Sequence, residues 1–314
     1  MLKQIRNEVF INHVFRGVFK YFAYAFPNGL KTKLVSHWPS SGEFSTKLKE
    51  GLSFKYYSRC DDQIANSLYY DIERYSEYHD LLLFSALAAK SSTILDIGAN
   101  TGVFSVVAAL SQPKASITAF EPYAVNARRF QKNIEINNIK NVVLAQTAIG
   151  SSEGTVNFSV PVEDRICDVL SVNSSFSENF YKKEMSFKQV QVEATTLDAY
   201  LQKKSVAHVD LIKIDVESYE MEVFKGAKET LERNSPAILC EIFPDEERIQ
   251  FFRDFLQPLG YQCYLIFPHG LVKVAELINN PECRNYLFVK NASGAAYYSY
   301  TQMDEIVHDF IRKY

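Results

Sequence analysis

The chain has 314 residues, 47% of them hydrophobic, enough to bury one large core or two small ones, which excludes a disordered chain. Residues 1–26 are interrupted by Lys3, Arg6, Glu8, Arg16 and Lys20, and no uncharged apolar run approaches the roughly 20 residues that span a bilayer, so neither a transmembrane helix nor a cleavable signal is expected. Formal charge is −3 overall, yet residues 1–60 hold ten Lys or Arg against three Asp or Glu, a balance of +7 that leaves −10 for the rest.

In chain order, Leu2, Ile5, Val9, Phe15, Phe19, Phe22 and Phe26 recur at helical spacing beside basic residues until Pro27. This predicts an amphipathic, basic helix within an N-terminal extension over residues 1–70. Residues 1–26 then offer either a surface for peripheral membrane contact or one that packs on the rest of the chain or a second subunit. The basic face also suits an anionic partner: a lipid headgroup, a phosphate-bearing donor or nucleic acid. Five scattered cysteines (Cys60, Cys167, Cys240, Cys263 and Cys283) form no C-x-x-C pair, which argues against a zinc site or a disulfide framework. A reducing cytoplasm is the expected home, with the protein free in it or peripheral at the membrane.

From residue 93 short β-branched runs alternate with helical patterns, the signature of βαβ units and a mostly parallel sheet. Strands are predicted at 93–98, 116–121, 141–146, 209–215, 237–243, 261–267 and 283–289, and helices at 101–111, 123–137, 217–233 and 245–258. The last two strands flank a connection beginning Pro268-His269-Gly270 and are expected to pair antiparallel at one edge. Residues 150–200 interrupt the alternation. EGTVNFSV reads as a hairpin strand, 161–188 as a mobile polar loop, and VQVEATTLDAYL as a returning strand and short helix.

The first of these strands runs into ILDIGANTGVFS, residues 94–105. A carboxylate at a strand end followed by glycines opening a helix is how an open parallel sheet holds a nucleotide-like ligand at its carboxyl edge. A dinucleotide needs G-x-G-x-x-G, whose second glycine admits pyrophosphate. Here that position is Asn100, and Asp96 would set a negative charge beside two phosphates. S-adenosylmethionine removes both difficulties, since it has no phosphate and presents an ammonium and a sulfonium. Asp96 then becomes favourable, Gly98 and Gly102 keep the loop close to the methionine moiety, and Asn100 adds hydrogen bonds. Glu121, 25 residues after Asp96 at the tip of the next strand, is placed to accept from both ribose hydroxyls. No acid at Thr147-Ala148 reads the adenine amine.

A second motif, VDLIKIDVESYEMEVFKGAKETL, ends its strand in Asp215 and places Glu217 at a helix start on the same edge. Glu220 is accounted for as an acid favoured in a helix's first turn. Taken in order, ILDIGANTGVFSVVAA, ITAFEP, TTLDAYL, DLIKIDVESYEMEVFKGA and PAILCEIFP resemble the FkbM family of S-adenosylmethionine-dependent methyltransferases over roughly residues 75–290. The resemblance implies a class I methyltransferase domain over 71–314. Its α/β fold would be a Rossmann-like, seven-stranded, mostly parallel sheet with helices on both faces. It also implies O-methylation of a hydroxyl on a sugar, glycan or other natural product. Where the family usually has glycine after the D-V-E acid, this chain has Ser218, which costs on the order of 1 kcal/mol if that position is left-handed.

Transfer to a hydroxyl needs its proton removed, and Asp215 and Glu217 are the candidate bases, with Glu241 a third acid on the same edge. The three could instead hold Mg²⁺. His269 is an alternative base, while His208, at the opposite edge, reads as structural. Two rival functions share these features: a non-catalytic S-adenosylmethionine-binding scaffold and a nucleic-acid methyltransferase. No recognition module supports the second, and a sugar, glycan or small-molecule acceptor without nucleic acid is the expectation.

Overall fold

The computed structural model describes residues 40–48, 51–59, 62–70, 76–161, 187–278, 280, 284–290, 297–303 and 305–306. The amphipathic segment 1–26 and nearly all of the polar stretch 161–188 lie outside the described residues. The chain opens with an antiparallel hairpin of β1 (Ser41–Lys47) and β2 (Ser53–Arg59), then α1 (Gln63–Tyr70) and α2 (Ser76–Ala88). There follow β3 (Thr93–Ile97), α3 (Val103–Ser111), β4 (Ser116–Phe120), α4 (Ala124–Ile136) and β5 (Val142–Ala145). Next come β6 (Ala148–Ile149), β7 (Gly154–Pro161), β8 (Phe187–Thr195) and α5 (Leu197–Lys203). The rest runs β9 (Leu211–Ile214), α6 (Glu220–Gly226), α7 (Lys228–Asn234), β10 (Ala237–Glu241), α8 (Glu246–Leu256), β11 (Tyr261–Phe267), β12 (Gly270–Val274), β13 (Asn285–Lys290) and β14 (Tyr297–Ser299).

Nine strands make the main sheet in the order β14-β12-β11-β13-β10-β9-β3-β4-β5. The five from β10 to β5 are parallel, and β13 enters antiparallel between β10 and β11. All seven strands read from the sequence stand in it. β12 and β14 extend one edge, so the expected β11–β13 pair is antiparallel but interior. The chain leaves β13 between β10 and β11 because Phe267 turns directly into Gly270, pairing β12 on the outer side of β11. A smaller sheet, β6-β8-β7, carries the expected hairpin strand and its return.

Burial explains the parallel core. Ile94, Leu95 and Ile97 of β3 and Leu211, Ile212 and Ile214 of β9 are at most 1% exposed, and each such side chain contributes roughly 1.5–3 kcal/mol through burial. The chain runs outward from β3 to β5 and, in the other direction, from β9 to β11. Helices α2, α3 and α4 therefore pack together, as do α5 to α8. α3 has seven buried residues of nine, because it is sandwiched between the sheet and α2.

One expectation is corrected locally. The helix expected over 217–233 starts only at Glu220 and breaks at Ala227 (φ −110°) into α6 and α7. The break is stabilised from outside: the Asp198 carboxylate accepts from the Glu229 and Thr230 N–H groups and the Thr230 hydroxyl, capping α7. The described part of the N-terminal extension holds the β1–β2 hairpin and α1, while the helix expected over residues 1–26 lies outside the described residues. Asn133 and Asn137 of α4 accept from the Tyr57 and Lys55 N–H groups, which fixes β2 on the sheet domain. Phe54 and Tyr56 enter the main core.

Candidate active site

The carboxyl ends of β10, β9, β3 and β4 lie side by side, and the register brings Glu241, Asp215, Gly98 and Glu121 to one level, with adjacent strands about 4.8 Å apart. Asp96 lies two residues below Gly98, paired in register with Lys213 and Ala119. The sequence-derived acids thus converge on one edge of the sheet.

Loop 98–102 crosses this edge with left-handed backbone at Gly98 (φ +79°), Asn100 (φ +51°) and Gly102 (φ +89°). The glycines serve close packing within the protein. A Cβ on Gly98 would lie 1.8 Å from the Asp215 carbonyl oxygen, and one on Gly102 would lie 2.5 Å from the Phe130 ring. Gly98 therefore lets β3 and β9 deliver their ends to the same point. The loop amides are used internally. Gly98 and Ala99 N–H donate to the Phe120 carbonyl, Gly102 N–H to the Ala99 carbonyl, and Asn100 N–H to Glu121 Oε2 at 2.9 Å. Thr101 pins the loop from below, its hydroxyl 2.5 Å from the Tyr56 hydroxyl and its carbonyl accepting from Asn133. Burial, and next Asp62, push the Tyr56 phenol well up, so it remains a neutral hydrogen-bonding group.

Glu121 is buried, with Oε1 accepting from Tyr123 N–H at 2.8 Å. Burial raises its pKa to about 7 against the opposing effect of these two N–H bonds. The Asn126 side chain hydrogen-bonds the same carboxylate and also opposes the rise. Asp96, 2% exposed, takes the Ser105 hydroxyl on Oδ2 at 2.6 Å. Burial lifts it to about 6, opposed by Ser105 and Lys213.

Lys213 is the residue that the sequence reading missed. It is 2% exposed, its Nζ 3.5 Å from Asp215 Oδ2 and 5.0 Å from the Phe104 ring centroid. Burial disfavours its charge, but Asp215, Glu241 and Asp80 together outweigh burial and drive its pKa upward. Asp80, on α2, in turn accepts from the Asn285 amide of β13. The signal was a lysine inside the wholly buried LIKI strand, since a lysine is fully buried almost only when paired. Asp80 and Asn285 carried no such signal.

Glu217 lies in the turn before α6, with φ +50°, and Ser218 has φ +75°. The family's glycine position is therefore left-handed here, and serine carries a strain on the order of 1 kcal/mol. Ser218 N–H donates to Glu220 Oε1 at 2.8 Å, and its carbonyl accepts from Arg248 at 3.4 Å. Glu220 is more than a first-turn acid: it is 1% exposed, and burial raises its pKa to about 7, opposed by backbone hydrogen bonds and Arg248. His269 is exposed and stacks on Phe267. His208 bonds Asp210 at 2.8 Å, and Asp210 in turn accepts from Ser92 and Thr93 N–H, a brace at the amino edge.

The donor set fits S-adenosylmethionine. The edge is rich in acceptors for hydroxyl and ammonium groups, and four amides that could have met a phosphate already have protein partners. Asp215, Glu217 and Glu241 do not assemble into a cation site: among the described residues no group of three or more His, Cys, Asp or Glu could hold a metal ion. The positive charge amid Asp80, Asp215 and Glu241 is the Lys213 ammonium. No helix among the described residues is long and apolar enough to cross a membrane.

A doubly wound sheet with one antiparallel strand inserted beside β10 and an acid-lined carboxyl edge defines a class I methyltransferase fold. The chain belongs to the FkbM methyltransferase family, whose domain matches residues 96–263. It is 29% identical over 146 residues to "Methyltransferase 1" of Beauveria bassiana, covering 43% of this chain and 58% of that protein. It is 28% identical over 156 residues to "2-O-methyltransferase NoeI" of Sinorhizobium fredii, covering 48% of this chain and 63% of that one. The chain thus spans about three fifths of these relatives' lengths. A crystal structure of methyltransferase FkbM from Methylobacillus flagellatus aligns with TM-score 0.42 and 14% identity, over 74% of this chain and 56% of that one.

Proposed function

We propose that the protein is an S-adenosylmethionine-dependent O-methyltransferase whose acceptor is a hydroxyl on a sugar, glycan or natural product. The observation that carries this reading is the Asn100–Glu121 bond. The loop amide that would meet a dinucleotide's phosphate is donated to a protein carboxylate at a strand tip, an acceptor group placed for ribose hydroxyls. The printed name of the NoeI relative, a 2-O-methyltransferase, favours a hydroxyl acceptor.

When bound, S-adenosylmethionine supplies an electrophilic methyl group. Glu121 accepts from the ribose hydroxyls, while Asp96, Gly98, Asn100 and Gly102 shape and charge the floor under the methionine moiety. Asp215 is the base. Its Oδ2 is engaged with Lys213, which leaves Oδ1 to take the acceptor's proton, and its side chain is 34% exposed, open to an acceptor entering from solvent. Lys213 is a positioning residue whose ammonium holds this carboxylate in orientation. Glu241, level with Asp215 one strand away, and Glu217, in the strained turn beyond it, orient the acceptor. A positioned carboxylate base contributes about 10² to 10⁴ in rate, and alignment contributes as much as about 7–11 kcal/mol. The test is incubation with methyl-labelled S-adenosylmethionine and fractionated glycans and metabolites, with and without exhaustive chelation. A labelled methyl ether formed at an undiminished rate after chelation supports both the reaction and the metal-free base. Binding of the cofactor with no labelled product in any fraction overturns the enzymatic reading in favour of a scaffold.

A further inference from the structure

Between β9 and α6 the chain turns through Glu217 (φ +50°) and Ser218 (φ +75°), the one place among the described residues where two consecutive non-glycine residues are left-handed. Such backbone is costly and persists only where its surroundings over-determine it. Next to it Glu220 is 1% exposed, and its Oε2 has no hydrogen-bond partner among the described residues. A buried carboxyl with an unsatisfied oxygen is a second cost. The two costly features are joined by one hydrogen bond, from Ser218 N–H to Glu220 Oε1 at 2.8 Å. We infer that Glu220 and Arg248 are positioning residues that hold the 217–218 turn in its left-handed shape and so set Glu217 at the methyl-acceptor side of the sheet edge.

Both polar groups of the Ser218 backbone are gripped. The N–H goes to Glu220, and the carbonyl accepts from Arg248 Nη2, which reaches across from α8 at 3.4 Å. Arg248 is itself held by Asp245, the N-cap of that helix. The turn's two ends are fixed independently. Upstream, Asp215 N–H donates to the Ile97 carbonyl at 2.9 Å, and the Asp215 carbonyl fills the space left by Gly98. Downstream, the Tyr219 carbonyl accepts from Glu222 and Val223 N–H, and the Tyr219 ring lies against Gly150. The side-chain bonds to Ser218 therefore fix the one stretch that the neighbouring strand and helix leave undetermined.

Neither helix chemistry nor stability accounts for Glu220. An acid favoured by a helix dipole works from an exposed first turn, whereas this one is buried. A neutral side chain of the same shape would remove the cost of burying its charge. The inference rests on the proposed acceptor edge of Asp215 and Glu217. It assigns these two residues to methyl transfer and not to the donor, since Glu121 is held by Asn100 and Tyr123 N–H, independently of this turn.

The test compares the full native chain with Glu220→Met, Glu220→Gln and Arg248→Met. Exchange of the Ser218 N–H is followed by amide-resolved NMR, and S-adenosylhomocysteine affinity by calorimetry. Methyl transfer is followed from labelled S-adenosylmethionine to the glycan or metabolite fraction that takes up label. In Glu220→Met the Ser218 N–H should exchange at least about tenfold faster, and kcat should fall by about tenfold to a hundredfold, with S-adenosylhomocysteine affinity unchanged. Glu220→Gln keeps an acceptor oxygen for Ser218 and should recover most of both. Arg248→Met, at a half-buried position, should shift both in the same direction by less, and it answers the question if Glu220→Met does not fold. Unchanged Ser218 exchange in Glu220→Met and Arg248→Met, or native kcat despite faster exchange, overturns the proposal. So does a Glu220→Gln chain that behaves like Glu220→Met, or a parallel loss of S-adenosylhomocysteine affinity, which would make these residues part of the general frame. If the native chain labels no fraction, it is the proposed function that fails, and Ser218 exchange in the variants still decides whether Glu220 and Arg248 hold the turn.

Discussion

The burial of Glu121 gives cofactor affinity a defined pH dependence. In the free protein its carboxyl has a pKa of about 7, because burial outweighs the stabilisation from Asn100 and Tyr123 N–H. Ribose hydroxyls donate to the ionised form, so apparent affinity scales with the ionised fraction. That fraction is about 0.9 at pH 8 and about 0.1 at pH 6, so S-adenosylhomocysteine should bind about tenfold more weakly at pH 6. At pH 7 binding should release about half a proton, read by calorimetry in buffers of different ionisation enthalpy. Glu121→Gln replaces one acceptor oxygen by an amide that faces a backbone N–H. It should bind weakly at every pH and lose the slope between pH 6 and 8. A flat profile in the native chain, or the same slope in Glu121→Gln, would refute the assignment of this carboxylate to the ribose.

Three further substitutions probe the frame around the site. Lys213→Met removes a cation 3.5 Å from Asp215, a gross attraction of about 5 kcal/mol at an effective dielectric of about 20. Solvent reaching Asp215 trims this, and the expected loss of stability is about 3 kcal/mol at pH 8, measured by urea denaturation. Glu220 has a folded pKa of about 7 against 4.5, so its contribution is fully present below pH 4.5 and is lost as pH rises through 7. Glu220→Gln should therefore be more stable than the native chain at pH 8 by up to about 3 kcal/mol, with the difference closing by pH 5. Gly98→Ala sets a Cβ 1.8 Å from the Asp215 carbonyl oxygen. It should cost more than about 3 kcal/mol and abolish cofactor binding, because neither backbone can yield without displacing a central strand.

Much of this frame was legible because its signals are local. β4, β9 and β10 are short runs that end in or lead directly into an acid, Glu121, Asp215 and Glu241, at the carboxyl edge, and β3 carries Asp96 one residue before its end. What escaped depends on tertiary partners. The YLIF and GLVKV runs around Pro268-His269 held a hairpin signal, but it read as a connection because nothing local says that β13 will slip between β10 and β11. SFKYYSR alternates like a strand, yet its basic, aromatic composition drew attention instead, and Tyr56 revealed itself only through its bond to Thr101. Gly98 and Gly102 were recognised for their conformation, whereas the close approach of Asp215 and Phe130 that also demands them is tertiary. The network of Lys213, Asp80 and Asn285 joins residues from three elements far apart in sequence, and only the lysine within LIKI hinted at it.

The central claim is that one sheet edge holds the methyl donor through Glu121 and removes the acceptor's proton through Asp215. It is tested most directly by measuring S-adenosylhomocysteine affinity and labelled methyl transfer on the same preparations of native chain, Glu121→Ala and Asp215→Asn. The account predicts that Glu121→Ala loses affinity and turnover together, while Asp215→Asn binds the cofactor as the native chain does and loses turnover by about 10² or more. Native-like turnover in Asp215→Asn, or undiminished cofactor binding in Glu121→Ala, would contradict it.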